Sequence, residues 1–372
     1  MATNQQLITA LIAIGAAAAI SFALTPLVKA FALRFGFVDV PKDKRRMHSH
    51  PIPTIGGLAI FAAFVLVSMV MCRVNRQLLG IYLGGTVLVA LGVLDDKYDL
   101  SARLKFLVQI LAAVIPVTQG LVVSYMSNPF PWGPQYLHFG VLAIPITVVW
   151  IVAITNAVNF IDGLDGLSVG VCSISCLSMA VIALSLGQTM EAVLLGALLG
   201  ACLGFLPYNL NPAKIFMGDT GATFLGYVLG CMSVSGLFKL YTVISFAVPI
   251  LVLGVPIFDI TFAFLRRIWH HVSPMHPDRS HIHHRLIDKG FNQRQSVAIL
   301  YVVASLLGVC AVMISTTGPG KAMMVLLAVA AVGCIALKML AAKPGEGTTT
   351  ETENDTPSHS PREEQEGPGD SE

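Results

Sequence analysis

The chain is organised as long apolar runs separated by short polar connections. About eleven runs reach or approach the roughly 20 residues that a helix needs to cross a bilayer. They lie near 7–33, 55–72, 78–94, 105–124, 141–158, 168–187, 190–207, 221–238, 242–265, 296–316 and 322–341. Backbone groups in lipid must satisfy their own hydrogen bonds, so each run predicts a helix. The pattern therefore predicts an all-α, polytopic membrane protein with about 11 transmembrane helices.

Composition supports the same class. Of the 372 residues, 55% are hydrophobic and 12% are charged, whereas soluble domains carry roughly 25% charged residues. The mean hydropathy is +0.74. A net charge of +2 gives no reason to expect a nucleic-acid partner. The seven cysteines lie in apolar stretches, a pattern that fits neither a disulfide framework nor a zinc site.

Basic residues predict the orientation of the chain. The loops after the first, third, fifth, seventh and ninth runs contain fourteen of them: Lys42, Lys44, Arg45, Arg46, Lys97, Arg103, Lys105, Lys214, Arg266, Arg267, Arg279, Arg285, Lys289 and Arg294. The opposite loops contain four: Arg73, Arg76, Lys239 and Lys321. Because cytoplasmic loops carry the excess of Lys and Arg, the first set is predicted to be cytoplasmic. The amino terminus is then outside and the carboxyl terminus is cytoplasmic.

The acidic residues collect on the same face. Of the twelve Asp and Glu residues before the carboxyl-terminal tail, only Glu191 falls on the opposite side. Acids near membrane depth are costly and mark functional sites. This one-sided arrangement argues against a transporter or flippase, which would place polar groups near the bilayer midplane. The composition changes after about residue 342, so residues 1–343 are predicted to form the membrane domain and residues 344–372 a disordered cytoplasmic tail.

Three clusters combine carboxylates with helix ends. Asp95 and Asp96 end the third run and precede Arg103 and Lys105. Adjacent carboxylates repel unless a cation or proton intervenes, so this arrangement suits a site for a metal ion and phosphate. The second cluster, residues 156–167, runs from Asn156 and Asn159 through Asp162 to Asp165. The third, residues 211–221, places Asp219 between glycines just before an apolar run. A hard divalent cation prefers such oxygen ligands.

A fourth cluster is basic. It occupies the longest predicted cytoplasmic loop and reads Asp278-Arg279-Ser280-His281-Ile282-His283-His284-Arg285. Arginine binds phosphate oxygens in bidentate fashion, so the cluster is a candidate pyrophosphate clamp. Zinc is the rival interpretation for three histidines, but no acid or cysteine stands nearby at ligand spacing.

Together these stretches closely resemble the polyprenyl-phosphate N-acetylhexosamine-1-phosphate transferase family. The matching segments are Pro41 to Gly57, Asp95 to Lys105, Asn156 to Gly166, Asn211 to Gly226 and Asp278 to Arg285. They occur in the family's order and cover essentially residues 7–341. The spacing of His281, His283 and His284 is similar to that of the undecaprenyl-phosphate GlcNAc-1-phosphate transferase branch. The phospho-MurNAc-pentapeptide translocase branch typically has three consecutive histidines instead.

The resemblance implies a reaction and its setting. UDP-GlcNAc and undecaprenyl phosphate would give GlcNAc-diphosphoryl-undecaprenol and UMP, with Mg²⁺ as cofactor and Mn²⁺ as an alternative. This is the first membrane step of a cell-surface polysaccharide such as teichoic acid or O-antigen. The expected location is the bacterial plasma membrane, in contact with membrane lipid, with the active site on the cytoplasmic face. A homodimer is an expectation from the resemblance alone. The remaining alternatives are another donor, such as UDP-MurNAc-pentapeptide or another UDP-N-acetylhexosamine, a transporter or flippase, and a non-catalytic membrane scaffold.

The resemblance also implies roles for individual residues. Asp95, Asp96 and Asp219 are the expected catalytic residues, the first two beside the lipid phosphate. Asp219 and Asn159 are the expected metal ligands, and Lys105 is expected to bind the lipid phosphate. The expected donor-binding residues are Asn156, Asp162, Asp165, Arg279, His281, His283, His284 and Arg285.

Overall fold

The computed structural model describes residues 4–40, 51–128, 132–134, 136–237, 247–269 and 282–316, with isolated positions between 321 and 331. Most of the run predicted at 322–341 and the whole tail at 344–372 lie outside the described residues. So do Arg279 and His281 of the basic cluster.

Twelve helices account for most of the described chain. They are α1 (Asn4–Phe35), α2 (Gly57–Met71), α3 (Arg76–Tyr98), α4 (Ala102–Thr118), α5 (Ala143–Ile161), α6 (Leu167–Ser185), α7 (Thr189–Asn209), α8 (Gly218–Met232), α9 (Ala247–Val252), α10 (Gly254–Trp269), α11 (Ile282–Asp288) and α12 (Gln293–Thr316). A 3₁₀ turn at Gly140–Leu142 precedes α5, and a π turn at Ser233–Leu237 continues α8. The prediction of a mainly helical chain is confirmed.

Six of the described helices are long and apolar enough to cross a membrane. They are α1, α3, α5 with its preceding turn, α6, α7 and α12. The second apolar run forms α2, a shorter apolar helix. The ninth run is split at Leu253 into α9 and α10. The chain is therefore a multi-pass membrane protein by the length and composition of its helices; the count of eleven spans and the orientation stay predictions.

Two short β-ribbons were not predicted. β1 (Val38–Asp39) pairs antiparallel with β2 (Ile52–Pro53), and β3 (Tyr125–Ser127) pairs antiparallel with β4 (Tyr136–His138). Strands of two or three residues are too short to show an alternating pattern in the sequence. The first ribbon is continued by backbone bonds: Phe216 N–H donates to Pro53, and Gly56 and Gly57 donate to Phe216 and Met217, at 2.8–2.9 Å.

Local signals place the acidic cluster at the end of α3. Asn75 caps the start of this helix by accepting the Leu78 N–H at 2.8 Å. At the other end, Asp99 adopts a left-handed conformation with φ of 53° and terminates the helix. Ser101 then caps α4. Because the connection is so short, Lys105 in the first turns of α4 lies back against the last turn of α3.

Close backbone approach joins the early helices to the later ones. Glycines of α7 face α1, and a Cβ at Gly200 would overlap the carbonyl oxygen of Ile14. Similarly, a Cβ at Gly92 of α3 would overlap the backbone of Thr220 at the start of α8. Small residues let membrane helices approach until their backbones touch. The largest buried side chains, Phe64, Phe205, Phe224 and Tyr227, fill the centre between these helices.

Candidate active site

Asp219 lies at the centre of a group of polar residues, in the first turn of α8. One carboxylate oxygen accepts the side-chain amide of Asn159 at 3.0 Å, and the other faces the Lys105 ammonium at 3.3 Å. Its side chain keeps 32% of its surface exposed. Residues from α4, α5 and α8 therefore meet at one carboxylate that remains open to a ligand.

Asp95 and Lys105 form the tightest ion pair of this group. Their carboxylate oxygen and ammonium nitrogen are 2.8 Å apart, and the Asp95 side chain is 7% exposed. The second oxygen of Asp95 accepts the Leu100 N–H at 2.8 Å. Since Lys105 also contacts Asp219, its ammonium compensates the charge of two carboxylates that would otherwise repel each other.

Asp96 holds the amino terminus of α8. Its two oxygens accept the N–H of Asp219 at 3.0 Å, the Thr220 hydroxyl at 2.7 Å and the Thr220 N–H at 3.3 Å. A carboxylate is favoured there because it meets the unpaired N–H groups and the positive end of the helix. Gly218 has φ of +71°, and a Cβ there would overlap the Asp96 carboxylate. The adjacent acids thus differ: Asp95 pairs with Lys105, and Asp96 fixes the position of Asp219.

A cavity of ≈ 430 Å³ opens beside these carboxylates. Its walls come from the first β-ribbon, the α5–α6 loop, the α7–α8 loop and the start of α12, with His284 of α11. The lining residues are Val38, Asp39, Thr54, Asp96, Asn159, Asp162, Gly163, Leu164, Asp165, Asn209, Phe216, Met217, Gly218, Asp219, His284 and Gln293. Five of these residues are aspartates, while Phe216, Leu164 and Gln293 supply an aromatic, an aliphatic and an amide surface.

Asp162 follows the last residue of α5 and is partly buried in the cavity wall. Burial raises its pKa, and the negative charges of Asp219, Asp96 and Asp165 raise it further, to about 8. Burial disfavours the ionised form, and like charges have the same effect. At neutral pH this carboxyl is therefore mainly protonated, whereas a cation placed in the cavity would favour its ionised form.

Asp165 belongs to a hydrogen-bond network that joins three segments of the cavity wall. Its carboxylate accepts the side-chain amide of Asn211 and the Ala213 N–H, both at 3.0 Å. Asn211 also donates to Gln293 at 2.8 Å, and Arg294 donates to the Asn211 carbonyl oxygen at 3.0 Å. This network fixes the α5–α6 loop, the α7–α8 loop and the start of α12 relative to one another.

The basic cluster reaches the cavity through α11. His284 lines the cavity, whereas His283 is only 2% exposed and lies so close to Gly163 that a Cβ there would overlap its imidazole. The two imidazole centroids are 4.3 Å apart. Arg285 lies over the Phe262 ring, with its guanidinium carbon 4.5 Å from the centroid. Three predicted donor-binding residues of this cluster are described, His283, His284 and Arg285, and of these His284 is the one in the cavity wall.

Asn156 lies apart from the cavity lining. Its amide donates to Gln109 at 2.6 Å and to the Val152 carbonyl at 2.8 Å, so it ties α5 to α4. The structure thus brings together Asp95, Asp96, Asp219, Asn159 and Lys105, and places Asp162 and Asp165 in the adjoining wall. The predicted roles of all these residues stay predictions.

Several cavity residues were not among the predicted site residues. They are Val38, Asp39, Thr54, Leu164, Asn209, Phe216, Met217 and Gln293, together with the glycines at 163 and 218. The segment from Pro41 to Gly57 contained a weak signal, and Phe216 lay inside a cluster already recognised. Nothing in the sequence marked Gln293 as a site residue, because a polar residue is common at the start of a membrane helix.

Residues 78–237, from α3 to the turn after α8, match the family model described as Glycosyl transferase family 4. A Bacillus subtilis (strain 168) protein named probable undecaprenyl-phosphate N-acetylglucosaminyl 1-phosphate transferase is 44% identical over 296 residues, covering 79% of this chain and 81% of the relative. The chain belongs to glycosyl transferase family 4.

More distant relatives of this family 4 protein carry similar names. A decaprenyl-phosphate N-acetylglucosaminephosphotransferase of Mycolicibacterium smegmatis is 34% identical, covering 83% of each chain. An undecaprenyl-phosphate alpha-N-acetylglucosaminyl 1-phosphate transferase of Salmonella typhi is 30% identical, covering 76% of this chain and 77% of the relative. The match to the family 4 model ends at residue 237, before α9, so α11 and α12, which contribute His284 and Gln293 to the cavity, lie beyond the matched segment.

The donor set in this family 4 site fits a hard divalent cation. Within the described ranges, no three His, Cys, Asp or Glu side chains already converge as a metal centre. Instead, Asp219 offers an accessible carboxylate beside Asn159, with Asp96 and Asp162 in the same wall. Mg²⁺ is commonly held by one or two carboxylates and completes its coordination with water and substrate phosphates. An incomplete set of oxygen ligands is therefore what such an ion requires of the protein.

Proposed function

We propose that this protein transfers GlcNAc-1-phosphate from UDP-GlcNAc to undecaprenyl phosphate at the cytoplasmic face of a bacterial plasma membrane. The products are GlcNAc-diphosphoryl-undecaprenol and UMP, and the step begins a cell-surface polysaccharide. One observation carries the proposal: Lys105, Asp95 and Asp219 meet beside the cavity, 2.8 and 3.3 Å apart. The names of the relatives support the donor sugar and the lipid class.

The reaction is a displacement at phosphorus. An oxygen of the lipid phosphate forms a bond to the β-phosphorus of UDP-GlcNAc, the bridging bond to the α-phosphate breaks, and UMP leaves. Charge accumulates on phosphate oxygens, so catalysis depends on positioning and charge neutralisation. When bound, Mg²⁺ supplies positive charge to the pyrophosphate, with Asp219 and Asn159 as its protein ligands.

The remaining residues arrange the two substrates. Lys105 faces the incoming lipid phosphate and is held in place by Asp95. Asp96 keeps Asp219 at the start of α8 through three hydrogen bonds. His284 lines the same cavity as Asp162 and Asp165, and these three residues contact the donor.

The test uses washed membranes that contain the full chain, undecaprenyl phosphate, Mg²⁺ and sugar-labelled UDP-GlcNAc. We expect label in the organic extract that depends on Mg²⁺, is blocked by tunicamycin and is absent in Asp219→Ala. Asp288→Ala is the matched control, because Asp288 is an exposed acid on α11 that does not line the cavity. No label from wild-type membranes with adequate expression would reject UDP-GlcNAc as donor. UDP-MurNAc-pentapeptide and UDP-GalNAc would then be tested, and failure of both would favour a transporter.

A further inference from the structure

α11 is a short helix that contributes one residue, His284, to the cavity lining. It spans seven residues, Ile282–Asp288, and carries His283, His284 and Arg285. A helix of this length has no stability of its own in water. Its position must therefore come from the elements packed against it.

Two residues of α10 fix α11 from one side. The carboxylate of Asp259 accepts the backbone N–H of Ile282, the first residue of α11, at 2.7 Å. Three residues further along α10, the ring of Phe262 lies under the Arg285 guanidinium at 4.5 Å. Residues three apart share a helix face, so Asp259 and Phe262 form one seat for α11. Asp259 is 2% exposed although it carries a carboxylate.

On its other side, α11 rests on the α5–α6 loop. The buried imidazole of His283 lies directly against Gly163, where a Cβ would overlap it. The next residue, His284, lines the cavity. A rotation or shift of α11 by one residue would remove His283 from Gly163 and carry His284 out of the cavity wall.

We propose that Asp259 is a positioning residue for donor binding, because its bond to the first N–H of α11 sets the register that places His284 in the cavity. The inference rests on the proposed function for its substrate, UDP-GlcNAc. A hydrogen bond to a carboxylate is stronger than one between neutral groups. A buried carboxylate is costly where an apolar side chain would fill the space, which is consistent with a requirement for the acceptor.

The test compares Asp259→Ala with Asp259→Asn. Asparagine retains an oxygen that accepts the Ile282 N–H, so we expect it to preserve activity within about threefold. Alanine removes the acceptor, and we expect the KM for UDP-GlcNAc to rise about tenfold while the KM for undecaprenyl phosphate stays unchanged. Glu191→Ala is the matched control. Glu191 accepts a hydrogen bond from Ser235 at 3.2 Å at the far end of the helices, so its loss should leave both KM values unchanged.

A second measurement follows α11 without turnover. We expect amide hydrogen exchange of residues 282–288 to be faster in Asp259→Ala than in the wild type or Asp259→Asn. The exchange measurement needs no turnover, so it tests Asp259 even if wild-type membranes fail to use UDP-GlcNAc. That failure would overturn the proposed function and leave the role of Asp259 open to this test. Three outcomes would overturn the role of Asp259. The first is an unchanged exchange rate in Asp259→Ala, and the second is equal impairment of the alanine and asparagine variants. The third is a parallel rise of the KM values for both substrates together with a lowered Tm.

Discussion

At the scale of single residues, the chemistry depends on how Lys105 pairs with two neighbouring carboxylates at once. Asp95 and Asp219 both face its ammonium, at 2.8 and 3.3 Å. Removal of the ammonium would leave two partly desolvated negative charges side by side. Leaving a buried charge without its partner is more costly than the pair was favourable.

We therefore expect Lys105→Met to lower kcat/KM for undecaprenyl phosphate by at least about 100-fold, equivalent to roughly 3 kcal/mol of transition-state stabilisation. The labelled-sugar assay with varied lipid acceptor measures this change. Lys97→Met is the control. Lys97 is a lysine in the last turn of α3, close in sequence to Lys105 of α4, but its ammonium lies over the Phe37 ring, 5.0 Å from the centroid. Near-normal activity of Lys105→Met would remove Lys105 from phosphate binding.

Asp162 gives the metal-free protein a pH-dependent stability. Its pKa in the folded protein, about 8, lies above the ordinary value of 3.8. Between these values the folded state binds the proton that the unfolded state has lost, so stability falls as pH rises through this window. In EDTA, we expect Asp162→Asn to flatten the decline in Tm between pH 5 and pH 9, and to be the more stable protein at about pH 9. Parallel melting curves for the two proteins would contradict this assignment.

At the scale of elements, the close approach of α1 and α7 depends on a glycine at the contact. Gly200 touches the backbone of α1, and its neighbour there is a carbonyl group that cannot rotate away. We expect Gly200→Ala to lower stability by about 1–3 kcal/mol, despite the higher helix propensity of alanine, because the added methyl forces α1 and α7 apart.

Thermal unfolding in detergent measures the effect of Gly200→Ala. The matched variant is Gly15→Ala in α1, where no other helix in the described part of the chain comes within 4 Å of the added Cβ. That variant should keep or slightly raise the Tm, since only the propensity term remains. Equal behaviour of the two variants would mean that the α1–α7 contact is looser than described.

The elements also show what a sequence can encode locally. Apolar runs predicted α1 to α8 and α12 to within six residues at each end, because membrane helices need long uninterrupted apolar segments. The division of the ninth run into α9 and α10 left no trace in hydropathy. The contact between Asp259 and Ile282 joins residues 23 positions apart across segments with no shared pattern. The clusters around Asp95, Asn159 and Asp219 were visible because polar residues interrupt apolar runs, whereas the cavity roles of Phe216 and Gln293 arise only from packing.

At the scale of the whole molecule, the proposed function requires one orientation. The α7–α8 loop, with Lys214, must face the cytoplasm, and the β3–β4 ribbon, with Trp132 70% exposed beside it, must face outward. We expect a membrane-impermeant thiol reagent to label Trp132→Cys in intact cells and Lys214→Cys only after permeabilisation. The unmodified chain is the control for its own seven cysteines. The reverse labelling pattern would place the cavity outside and exclude a cytoplasmic nucleotide donor.

The pairing of α1 with α7 has a consequence for how the protein is made. About 150 residues separate the end of α1 at Phe35 from the start of α7 at Thr189. At a synthesis rate of about 5–20 residues per second, on the order of ten seconds pass between the synthesis of α1 and that of α7. The residues around Pro53 wait still longer for Phe216, to which they are joined by backbone hydrogen bonds. Biogenesis must therefore place the amino-terminal helices in lipid first and close the reaction site only after α8 has been inserted.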